Sequence, residues 1–168
     1  MAPRPDFAYH PGMPDTLYDQ DILTWSEQQA DLLRRVANGE RVNGVDWPNI
    51  AEEIEDVGSG ILNAVRGLLR QAMVHLLKSH LFPGDTARGH WLIEADTFLA
   101  DAGDRFAPSM RQRIDLDTIW RRIRATTARN AGASAAELPG QCPWTIDDLL
   151  SADAGALLSS LAKPARTP

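Results

Sequence analysis

Residues 46 to 58, DWPNIAEEIEDVG, place five carboxylates in thirteen positions, a density that could hold a metal or supply an acid–base pair. On a helix with Ile54 facing a core, Glu52 and Asp56 fall on the solvent side, and Glu53 and Glu55 fall on the two flanks. Four acids spread around three sides cannot grip one ion. Asp46, Glu52 and Glu53 also lie near a helix N-terminus, where the macrodipole favours negative charge by about 0.3–1 kcal/mol each. Most of the run is therefore expected to be helix dressing, with Glu53 the acid that turns toward neighbouring helices.

The histidines are the next candidates. His75 lies on the edge of an apolar stripe, and His80 and His90 bracket the turn that follows. Helical zinc sites pair histidines four apart, whereas His75 and His80 are five apart and diverge by about 140° on an ideal helix. A buried, hydrogen-bonded His75 is expected rather than a ligand. Seven arginines between 105 and 129 make the one basic stretch in a chain of net charge -6. Arg122 and Arg129 share an outer face, but no aromatic residues interleave them as single-stranded nucleic-acid binding would require. The expectation is a solvated face and no nucleic-acid binding. Arg66 and Arg70 are read the same way. Cys142 is the sole cysteine, precedes a proline, and has no histidine near it in sequence to activate it. The chain carries no Gly-rich phosphate loop, no nucleophile elbow and no CxxC pair.

The elements that position these residues are helical. Ile22, Trp25, Leu32, Leu33 and Val36 are expected on one face of a first helix from about Asp19 to Ala37, with Gln29 in the middle of that stripe. Pro48 suits the first turn of a second helix reaching about Ser79, striped by Ile50, Ile54, Val57, Ile61, Val65, Leu68, Ala72 and Leu76. The stripe keeps phase through Gly58-Ser59-Gly60, which favours one kinked helix. A third helix is expected over about Gly89 to Asp101, and a fourth is capped by Asp115. A short last helix is expected over 145–150. No stretch alternates at strand period. The predicted fold is all-α, an up-and-down helical bundle of about four main helices plus a short terminal helix. Residues 1–16 read as a mobile arm, 17–150 as one bundle domain, and 151–168 as a C-terminal helix or loose tail.

LYDQDILTWSEQQADLLRR (17–35), the stretch from DWPNIAEEIEDVG to LLRQAMVHLLKSHLFP (46–83) and CPWTIDDLL (142–150) together resemble a bacterial domain-of-unknown-function family, number twenty-nine. Gly60 and the loop from Gly84 to His90 depart from its pattern. The resemblance implies an α-helical bacterial protein of about this size. It implies no activity, cofactor or substrate.

Function is expected to lie in binding. The first reading is a cytoplasmic interaction or regulatory module, with a protein partner or self-association, no membrane span, no metal and no cofactor. The opening residues lack the apolar segment a secretory signal needs, and a single cysteine suits a reducing compartment. The alternative is a metal-binding or hydrolytic bundle with a polar pocket of Gln29, Glu53, His75 and Lys78. A third reading has the arginine-rich fourth helix touch RNA. Two geometric expectations follow. Trp25, Trp91 and Trp120 should all be buried. Gln29, which needs a polar partner in the core, should find Glu53. His75, 22 residues from Glu53, would lie about 33 Å away on a continuous helix and could join only through a reversal at Gly58 or a second subunit.

Overall fold

The computed structural model describes residues 16–161; the arm expected before Thr16 and the tail expected after Leu161 lie outside them. The described residues are helical, with no strand among them. Helix α1 (Leu17–Gln20) is closed by a capping box between Thr16 and Asp19. Helix α2 (Ile22–Ala37) restarts at once, because the Asp21 carboxylate accepts the Thr24 N–H at 3.0 Å. The expected single first helix is thus split by two capping residues only five positions apart, Thr16 and Asp21.

Gly39 and Gly44, at φ +84° and +90°, take backbone conformations other residues rarely adopt, and between them the chain leaves α2 and reaches α3 (Trp47–Leu81). Helix α3 is continuous through Gly58 and Gly60. Then come α4 (Arg88–Arg105), a 3₁₀ turn at Pro108–Met110, and α5 (Leu116–Asn130), whose N-cap Asp115 accepts the Thr118 N–H at 2.9 Å. The described residues end with α6 (Ile146–Ser151) and α7 (Ala154–Leu161).

Two compact units divide the chain, one ending at Val57 and the other starting at Gly58. The first unit has a narrow core in which α2 buries only Trp25 and Gln29. The stripe expected there is corrected: Ile22 and Val36 are exposed, and Leu32 and Leu33 are half-covered. Ile54 and Val57, expected inward, are 68% and 64% exposed. So few residues enclose little volume, and one turn of α2 is all they can bury.

The second unit holds the main core. Val65, Leu69, Ala72, Met73, Leu76 and Leu77 of α3 meet Leu99 and Ala95 of α4, Trp120 and Ile123 of α5, and the late helices. Helix α7 is part of this core: Leu157, Leu158 and Leu161 are buried and the helix packs against α4. Trp144, which pattern alone did not single out, stands edge-on to Trp120 with ring centroids 5.5 Å apart. Its indole N–H reaches the Ser160 hydroxyl at 2.8 Å, which ties the loop before α6 to α7.

Candidate functional site

Gln29 is buried and has polar company, but the partner is corrected. Its side-chain carbonyl accepts the Asp46 N–H at 2.9 Å, and its amide donates to the Gly44 carbonyl at 3.4 Å. The loop that returns the chain to α3 presents its own unpaired backbone groups to the core, and the amide satisfies both a donor and an acceptor there. Glu53 instead accepts the Tyr18 hydroxyl at 2.7 Å. That bond raises the Tyr18 pKa to about 12, since losing the phenolic proton would leave two negative charges face to face. Tyr18 stacks edge-on to Trp25, whose indole N–H reaches Asp46 at 3.2 Å. The first unit is therefore pinned by a polar chain from Glu53 through Tyr18 and Trp25 to Asp46 and Gln29.

His75 and Lys78 belong to the second unit. His75 Nδ1 lies 3.2 Å from Glu94 Oε2, out of line for a hydrogen bond, and His90 Nε2 lies 3.3 Å from the other oxygen. Burial pulls the His75 imidazole below its ordinary range, against the opposing pull of Glu94. Helix α3 runs unbroken through Gly58-Ser59-Gly60. Of the four residues expected around one pocket, Gln29 serves the loop and Glu53 holds Tyr18 in the first unit, while His75 faces Glu94 and Lys78 lies over Trp91 in the second. Among the described residues no group of three His, Cys, Asp or Glu side chains could hold a metal ion. Burial pushes the Cys142 thiol up to about 11, so it stays protonated and unreactive near neutrality.

The second unit carries a cleft of about 760 Å³. Arg70, Val74 and Lys78 line it from α3 and Phe82 from just past the end of that helix, each four residues after the last. Arg122, Thr126 and Asn130 line it from α5 at the same spacing. Trp91 of α4 also borders the cleft. Sequence pattern placed Trp91 in the core with Trp25 and Trp120; the latter two are buried, whereas Trp91 is only half-covered. It occupies the first turn of α4, just past the end of α3, where its indole meets Phe82 at 6.2 Å between centroids and Lys78 Nζ at 5.7 Å. Val74 and Ile123 supply an apolar floor.

The electrostatics of the cleft are one-sided. Among the described residues three cations line it and no carboxylate does. Neither Arg70 nor Arg122 forms a hydrogen bond or ion pair with any described residue, in contrast to Arg35, Arg111 and Arg124, which are engaged. Reading the arginines helix by helix assigned each to a solvated face; the relevant signal was the four-residue spacing that runs from Arg70 through Lys78 to Phe82, just past the end of α3. Which face of α5 would oppose it was not legible.

The model of a family described as "Domain of unknown function DUF29" matches residues 17–154. The chain belongs to the DUF29 family. Among solved structures, it is similar to the crystal structure of an alpha-helical protein of unknown function from Rhodospirillum rubrum, at 30% identity and a TM-score of 0.65. That likeness covers 88% of this chain and 99% of the other. No curated protein matches. The resemblance read from the two long segments and CPWTIDDLL is thereby established, and the solved neighbour shares the all-helical fold. No helix among the described residues is long and apolar enough to cross a membrane.

Proposed function

We propose that this DUF29 protein acts by binding, as an interaction or regulatory module of the bacterial cytoplasm, and that the cleft between α3 and α5 takes an anionic ligand. The observation that carries the reading is the set of three cations, two of them without partners among the described residues, in a cleft that no described carboxylate lines, on a chain of net charge -6. Such a cleft concentrates anions against the net field of the molecule. Its volume of about 760 Å³ lies within the range of small-molecule sites. Calorimetric titration with pyrophosphate at low ionic strength tests it. Binding that weakens at least about tenfold in an Arg70→Glu, Arg122→Glu variant supports the reading, a change of about 1.4 kcal/mol. No heat at millimolar pyrophosphate, or binding indifferent to both substitutions, overturns it.

A second reading, self-association, is favoured by the apolar side chains left uncovered in the first unit. Trp47, Ile54 and Val57 share one stripe of α3 and are more than half exposed. The occupant we propose is a second copy of the chain. Glu55 flanks that stripe while Arg34 lies in the last turn of α2, so a two-fold pairing can set opposite charges against each other. Sedimentation equilibrium checks this: a dimer that dissociates in Ile54→Lys, Val57→Lys supports it, and a monomer at about 100 μM overturns it.

A further inference from the structure

We infer that the cleft takes a small phosphate ester carrying a flat aromatic ring, a mononucleotide-type ligand, with the phosphate held by cations of the lining and the ring against Trp91 and Phe82. This rests on the anion-binding reading above and narrows it to one chemistry.

The cleft lining is of two chemical kinds. Along α3 and just past its end the lining residues run Arg70, Val74, Lys78, Phe82, so cations alternate with apolar and aromatic side chains. The guanidinium groups of the lining come from two different helices. Each offers a planar fork that suits the paired oxygens of a phosphate, and the Lys78 ammonium adds a third positive charge. Thr126 and Asn130 bring neutral donors along the same wall of α5, the kind of group that fixes a ligand's orientation. A monocarboxylate would leave most of this donor set unused.

Trp91 and Phe82 form a corner of the cleft with their rings inclined at 57°. A tryptophan on an apolar helix stripe would ordinarily be buried, yet this one is half-covered and borders the cleft. A ligand ring placed there covers indole surface that the fold leaves open, and ring–ring contact adds to the area buried. The Lys78 ammonium lies over the same indole. Lys78 therefore stands beside the aromatic corner, and a ligand that joins a ring to an anion engages both kinds of group at once.

Calorimetry with four magnesium-free probes separates this inference from the broader one: adenosine diphosphate, guanosine diphosphate, pyrophosphate and adenosine. The expected result is that both nucleotides bind at least tenfold more tightly than pyrophosphate, and that adenosine alone binds more weakly still. Trp91→Ala should weaken nucleotide binding at least tenfold more than it weakens pyrophosphate binding. Trp91→Phe, which keeps a ring, should restore most of the difference, and circular dichroism confirms that both variants fold. Equal affinity for nucleotides and pyrophosphate, untouched by Trp91→Ala, overturns the aromatic inference while the anion site stands. Adenosine binding as tightly as the nucleotides overturns it too. Silence from all four probes removes both readings.

Discussion

Asp46→Ala is the sharpest test of how the first unit is held. Asp46 stands at the N-terminus of α3: its backbone carbonyl accepts the Ile50 N–H at 3.0 Å, and its carboxylate accepts the Asn49 side-chain amide at 2.7 Å. The same carboxylate accepts the indole N–H of Trp25 at 3.2 Å, and Trp25 is only 6% exposed. Alanine removes a helix cap, at a cost of about 0.5–2 kcal/mol. It also strands a buried indole donor, at about 1–3 kcal/mol. The two losses share one carboxylate and are not independent, so the expected total is about 2–3 kcal/mol rather than the sum of the extremes. Urea unfolding followed by circular dichroism measures it, and hydrogen exchange over residues 22–37 assigns the loss to the first unit. A Trp25→Phe, Asp46→Ala cycle should show coupling of about 1 kcal/mol. A single-mutant loss below about 0.5 kcal/mol with unchanged exchange in α2 would refute the cap-and-indole account.

Trp120→Ala should cost about 3–5 kcal/mol, since its ring is fully buried against Trp144, whereas Trp91→Ala should cost under about 1.5 kcal/mol; equal losses in chemical denaturation would count against the half-open cleft wall. Spectrophotometric titration of a Tyr9→Phe background should find Tyr18 ionising near 12, and Glu53→Gln should bring it back toward 10; no movement would exclude the Tyr18–Glu53 bond as the cause. Because burial lowers the folded-state pKa of His75 below its unfolded value, its contribution to stability is full above about 6.5 and falls as pH drops below that value. His75→Gln should flatten that part of the stability profile between about pH 7 and 5, and an identical slope would rule His75 out as its source. The Cys142 thiol should react with an alkylating reagent many-fold more slowly than free cysteine at pH 8, recovering in urea; rapid native labelling would contradict its raised pKa.

Much of the architecture was legible from local rules, because helices are decided by neighbours in the chain. Apolar spacing of three and four, Asp115 and Thr145 as caps, and Pro48 at a helix start all report on hydrogen bonds closed within a few residues. The unbroken phase of the α3 stripe through two glycines likewise foretold a continuous helix. That Gln29 must find a polar partner was also a local deduction, since a mid-stripe amide has no neutral alternative to hydrogen bonding. Which partner it finds is a tertiary matter: loop backbone at Gly44 and Asp46 outcompeted Glu53, because the loop's own N–H and C=O needed satisfying at the same place. Periodicity likewise marks a face as apolar without saying whether anything covers it, so Ile54 and Val57 looked like core and stand in solvent. The cleft follows the same logic. Arg70, Lys78 and Arg122 are unremarkable surface cations one helix at a time, and only the packing of α3 beside α5 sets them around one apolar floor with Trp91 at its edge. Proximity between residues 70 and 122 is a property of packed helices, and no local pattern in the chain encodes it.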